Sequence, residues 1–122
     1  METSKETHLS DFLTGKSEYT LALFNHFINQ YNTIGPVEAV PLKSMIGVDN
    51  GRKRIAYITQ LGKNFIHVIF PFKQAYLDNM CFTKIPQVPG QQQFNHHFRM
   101  LDLDDVNEEV MGFMRLAYRG EE

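Results

Sequence analysis

At 122 residues, with 43% hydrophobic and 21% charged side chains, the chain has the composition of one globular domain and is too short for two. Its single cysteine excludes an intramolecular disulfide and points to a reduced, cytoplasmic setting, and no apolar run approaches the ~18 residues that would read as a membrane span. The formal net charge of −2 hides a division: Val40 to Met100 carries eight basic residues against two acidic ones, and the rest carries four against twelve. Such a division fits an anionic partner held on the central segment, or two faces that attract each other within the fold or across a dimer.

In chain order, residues 1–16 form an arm. It begins polar and frayed, and METSKETHLS lacks the apolar centre of a signal peptide. Leu9, Phe12 and Leu13 fall at i, i+3 and i+4, which predicts a short helix that Gly15 ends. Residues 17–122 form the domain proper. Ser17 is the expected N-cap of a helix from Glu18 to about Tyr31, with an apolar face of Leu21, Leu23, Phe24, Phe27, Ile28 and Tyr31. His26 falls on its polar flank as a surface histidine, and Gly35-Pro36 is the stop. Val37 to Val40 and Ser44 to Val48 read as short strands, Asp49-Asn50-Gly51 as a turn, and Arg52-Lys53-Arg54 as a charged loop.

The chain is organised around Arg54 to Phe72, two runs of β-branched and aromatic residues joined at Gly62-Lys63. A Gly-X pair there predicts a two-residue type II′ hairpin in which Leu61 faces Asn64. That register puts Ile55, Tyr57, Thr59, Leu61, Asn64, Ile66, Val68 and Phe70 on one face, under the helices. The other face then carries Ala56, Ile58, Gln60, Phe65, His67 and Ile69; being mixed, it is partly covered or lines a site.

Lys73 to Gln93 loses periodicity and is long for a simple connection, so it reads as a functional or lid-like loop with a short edge strand from Phe82 to Ile85. Cys81, within it, reads as a small buried hydrophobe. Phe94 to Met100 is the last strand, with Phe94, His96, Phe98 and Met100 on one face and Asn95, His97 and Arg99 on the other. A helix from about Asp105 to Arg119 closes the chain, with Asp102 or Asp104 as N-cap, Gly120 as stop, and Val106, Val110, Phe113, Met114 and Ala117 buried.

No phosphate-binding glycine loop, nucleophile elbow or paired carboxylates appear, so no catalytic residue is assigned and no cofactor is expected. His96 and His97 point to opposite faces of a strand and cannot chelate one ion together; His67 and His97 share a face but lack a third ligand, so no metal is expected. What survives is a set on the mixed face. Lys43, His97 and Arg99, with His67 and Gln60, have the chemistry to hold a carboxylate, a phosphate or a nucleic-acid backbone. The competing account is that these residues bond to backbone carbonyls or to Glu38 and Asp78.

Gly35-Pro36-Val37-Glu38, Pro41-Leu42-Lys43-Ser44, His96-His97-Phe98-Arg99-Met100 and Leu116-Ala117-Tyr118 together follow a familiar pattern. Over Ser17 to Tyr118 the chain resembles a bacterial family of unknown function. That domain also occurs at the C-terminus of longer chains, some nuclease-like or labelled "predicted transport protein". Lys43, His97, Arg99 and Tyr118 match recurring positions, and the Gln-rich loop before Phe94 departs from the pattern. The element order also resembles small double-wing domains with a proposed DNA-binding role. The resemblance implies a fold and no established activity.

The expectation is a single α+β domain, an antiparallel sheet of four or five strands with the N- and C-terminal helices on one face. Its expected function is that of a non-catalytic binding module for an anionic small molecule or nucleic acid. The alternatives are a small enzyme using His97 and a structural homodimer.

Overall fold

In a computed structural model, which describes residues 8–120, the stretch read as the organising hairpin is the centre of a five-stranded sheet. The elements run α1 (Leu9–Leu13), α2 (Glu18–Ile34), β1 (Glu38–Pro41), β2 (Ile46–Asp49), β3 (Arg54–Leu61), β4 (Ile66–Phe72), β5 (Phe94–Met100) and α3 (Glu108–Arg119). The sheet order is β1-β2-β3-β4-β5 and every neighbouring pair is antiparallel, so the α+β expectation is met with five strands. The frayed start expected for the arm falls mostly on residues 1–7, outside the described residues. No helix among the described residues is long and apolar enough to cross a membrane.

Both long helices lie on one face of the sheet. Leu23, Phe24, Phe27 and Tyr31 of α2 and Val110 and Met114 of α3 are buried with Ile66, Val68 and Phe70 of β4 and Phe98 and Met100 of β5. This is the apolar stripe that helical spacing predicts. The Tyr31 hydroxyl donates to the Met114 carbonyl at 2.9 Å, which fastens α2 to α3 inside the core; burial pushes the phenol well above its ordinary range.

The start of α2 also fixes the hairpin. Ser17 caps the helix by accepting from the Thr20 N–H at 3.1 Å, and its own hydroxyl donates to the Lys63 carbonyl at 2.6 Å. The Thr20 hydroxyl reaches the Gly62 carbonyl at 2.6 Å. Ser17→Ala removes a cap and a tertiary hydrogen bond together. It is expected to cost about 1–2 kcal/mol in urea denaturation.

The hairpin register differs from expectation. The turn is Lys63-Asn64, closed by the Gly62 N–H donating to the Phe65 carbonyl at 2.8 Å, and Leu61 pairs with Ile66. Gly62 is not in a left-handed conformation; the Phe65 ring occupies the place where a Cβ would stand, so glycine serves close packing. Moving the turn by itself shifts each pair by two residues and keeps the faces. An irregularity between Ile58 and Gln60 changes the shift to one, so Tyr57 pairs with Ile69 where the expected register gave Val68. Ala56 and Ile58 therefore join the core, and Tyr57 turns to the opposite face.

The closing helix starts later than expected. Asp102 caps a 3-10 turn over Leu103–Asp105, the Asp105 carboxylate accepts from the Leu101 and Asp102 N–H groups, and Asn107 is the N-cap of α3. At its other end Tyr118 donates to the Pro36 carbonyl at 3.1 Å, and its ring fills the space a side chain at position 35 would need.

The segment expected to be lid-like is tied to the sheet. The Thr83 N–H donates to the His97 carbonyl at 2.8 Å, His97 donates back to Lys84 at 3.0 Å, and the Asn95 N–H donates to Pro86 at 2.9 Å. Lys84 and Gln87 form antiparallel bridges with His97 and Phe94. This run is the edge strand anticipated near Phe82 to Ile85, in irregular form, and it covers the outer edge of β5. Pro89-Gly90, with Gly90 at φ 76°, turns the chain into β5. Cys81 is half-buried, and burial, with Glu109 beside it, pushes the thiol up to about 11. Such a thiol is protonated at neutral pH and poorly nucleophilic.

Candidate functional site

The sheet face away from α2 and α3 is mixed, as an antiparallel sheet with one solvated side allows. Alternation along β4 and β5 brings His67, Ile69, Asn95, His97 and Arg99 to it, while His96 turns inward. His67 sits opposite Arg99, and Ile69 opposite His97. The two imidazoles meet diagonally across the strands: His67 Nε2 lies 2.7 Å from His97 Nδ1, with ring centroids 5.0 Å apart.

That contact requires one ring nitrogen to carry a proton and the other to lack it. Both rings are held neutral. Burial, then Arg99 and Lys84, lowers the His67 pKa. Burial, then His67, Lys84 and His96, pushes His97 down to about 4. Of the side chains acting on the pair, Arg99 and Lys84 carry a positive charge, and no acid is among them. His67 Nδ1 is buried without a hydrogen-bond partner, and His97 Nε2 makes no protein hydrogen bond among the described residues. With His67 Nε2–H as donor within the pair, His97 Nε2–H is left as a donor to a ligand.

Arg99 is exposed and its guanidinium stacks 4.5 Å above the Phe65 ring. It makes no ion pair among the described residues. It borders a hollow of about 350 Å³ that Asp105 and Glu109 also line, but the Asp105 carboxylate is taken up by backbone N–H groups. Lys84 reaches the site from the edge run, opposite His97.

Of the five residues singled out in the sequence, His67, His97 and Arg99 come together. Gln60 is the register partner of His67, yet its side chain is exposed and lines a separate hollow of about 340 Å³ with Asp11, Phe12 and Lys16 of the α1 region. Lys43 lies in the β1–β2 connection, exposed, at the far side of the sheet. β2, the nearer of the two strands that this connection joins, stands three places from β5 in the sheet order. Lys84 supplies the positive charge that Lys43 was expected to supply. Sequence reasoning missed Lys84 and Phe65. The edge run opposite β5 was the available signal, but no spacing rule sets its register.

His96 is wholly buried. Its Nδ1–H donates to the Phe94 carbonyl at 2.8 Å, and its Nε2 accepts from the Tyr76 N–H at 3.1 Å. Phe72, Tyr76 and Phe82 surround it at centroid distances of 4.9–5.5 Å. It is a scaffold residue that draws the 73–82 loop onto the core. Among the described residues no group of three or more His, Cys, Asp or Glu side chains is placed to hold a metal ion.

Compared with protein-family models, with curated proteins and with solved structures, the chain shows no match. The reading of the site therefore rests on its own residues.

Proposed function

We propose that the chain is a non-catalytic binding module that holds an anionic group on the open sheet face, between His97, Arg99 and Lys84. The observation that carries this is the pair of touching imidazoles, kept neutral first by burial and then by the Arg99 and Lys84 charges beside them. Two exposed cations beside a half-buried imidazole pair oppose protonation of the rings until an anion joins them. An imidazole N–H and the planar guanidinium fork suit a carboxylate or a phosphate oxygen. Two strong cations match one anionic group better than a nucleic-acid backbone. Arg54, a further basic side chain on this face, is held by Asp49 at 2.7 Å. On the same footing we propose membership of the bacterial family that the sequence resembles.

Thermal melts with and without inorganic phosphate, at low and high salt, test this. Phosphate is expected to raise the melting temperature of the wild type, and more so at low salt. Arg99→Ala is expected to abolish that rise and to cost no more than about 1 kcal/mol in phosphate-free buffer, the worth of an exposed cation–π contact. A wild type indifferent to phosphate, with Arg99→Ala costing about 1–3 kcal/mol in both conditions, would make these residues scaffold.

A further inference from the structure

Beside the imidazole pair the open face is hollowed. Met45, Tyr57, Thr59, Ile69, Gln93 and Asn95 line a groove of about 270 Å³. It is contiguous with the cationic cluster: Tyr57 pairs with Ile69, Ile69 pairs with His97, and Asn95 precedes His97 by two residues on the same face. Facing pairs on one side of a sheet bring their Cβ atoms within about 5.5 Å. One small molecule can therefore touch both regions.

The two regions differ in chemistry. Next to the groove stands His97, paired with Ile69, with Lys84 opposite His97 on the edge run and Arg99 two residues further along β5. The floor and wall are apolar, from Ile69, Met45 and the Tyr57 ring, all half-buried. The groove's other margin is amide. Gln93 Nε2 donates to Asn95 Oδ1 at 3.0 Å, which leaves the Asn95 NH₂ and the Gln93 side-chain Oε1 without a protein partner among the described residues. A half-buried apolar floor with a few convergent polar groups is the usual composition of a small-molecule site. Inorganic phosphate alone would leave that floor and both amide groups unused.

Resting on the anion-binding reading above, we infer that the ligand is a small amphipathic anion. One carboxylate or phosphate is held at His97, Arg99 and Lys84, and a single ring or short apolar body lies over Ile69 against Tyr57. Gln93 and Asn95 would meet a polar substituent at the far end. A one-ring carboxylate is well within the groove's volume of about 270 Å³.

The test uses acetate, benzoate, benzyl alcohol and inorganic phosphate as probes, titrated into the whole chain and followed by amide and imidazole NMR shifts. Benzoate is expected to bind about tenfold more tightly than acetate, from the apolar area its ring buries. It should move Tyr57, Ile69 and Asn95 together with His97, and benzyl alcohol should produce no comparable shifts. Ile69→Gln, on a solvated face, should bring benzoate down to the acetate level and leave phosphate binding unchanged; Tyr57→Ala should do the same and guards against a local fault in one variant. Phosphate binding retained with benzoate no better than acetate would overturn the inference and leave the anion site standing. Benzyl alcohol equal to benzoate would overturn it as well, since the groove would then act without the cations. If none of the anions shifts His97, the anion site itself fails and this inference with it.

Discussion

His96→Ala is expected to destabilise the fold by about 3–4 kcal/mol, read from urea denaturation. The substitution opens a cavity at a fully buried side chain within an aromatic cage and removes partners from two part-buried backbone groups, the Tyr76 N–H and the Phe94 carbonyl. His96→Phe separates the two contributions. It restores most of the volume and leaves both backbone groups unsatisfied, so about 1–3 kcal/mol of the loss should remain. Because the Tyr76 N–H anchors the 73–82 loop, both variants should raise amide exchange there before they raise it in β3 and β4. A loss under 1 kcal/mol for His96→Ala would show that the loop is not docked as described.

Stability is expected to fall as the solution is acidified from pH 6.5 toward 4. The sign follows from linkage. His97 is near 6.5 in the unfolded chain and about 4 in the folded one, and His67 is lowered in the same direction. Between those values the unfolded state binds more protons, so acid favours unfolding; the contribution is intact above the unfolded pKa and lost as pH falls through the folded one. Both rings cannot carry protons on the facing Nε2 and Nδ1 without losing the 2.7 Å contact. Groups with partial access to water are screened, so the fall should be smaller than the lowered pKa values alone imply. Replacing both His67 and His97 by Gln should flatten this limb of the pH profile. A limb unchanged in the double variant would place its origin in other groups.

Much of the fold is legible in the residues because their periodicity acts locally. Phe94 to Met100 alternates cleanly and is β5 to the residue. Ile66, Val68 and Phe70 are buried as their spacing demands, and Ser17, Gly35 and Gly120 mark helix ends through their own chemistry. Tyr57 was misplaced because one irregular residue in β3 reverses the alternation, and nothing in Ile58-Thr59-Gln60 announces it. Asn107 was passed over because Asp102 and Asp104 are equally good caps; Asp102 does cap, but a 3-10 turn.

The site was half legible for a different reason. His67, His97 and Arg99 lie on adjacent strands, where face and neighbour can be read from alternation. Lys43 and Lys84 are both exposed lysines in irregular segments, and only the meander order decides which of them stands beside β5. Strand order is a long-range outcome of packing, beyond the reach of any local pattern.

The central claim is that cations and a neutral imidazole on the open face wait for an anion. Its most direct measurement is the His97 pKa, followed by ring NMR with and without inorganic phosphate. Without phosphate the value should lie near 4. With phosphate it should rise, since a bound anion favours the protonated ring, and in Arg99→Ala the rise should be reduced or absent. A His97 that titrates at the same pH in both buffers would contradict the account.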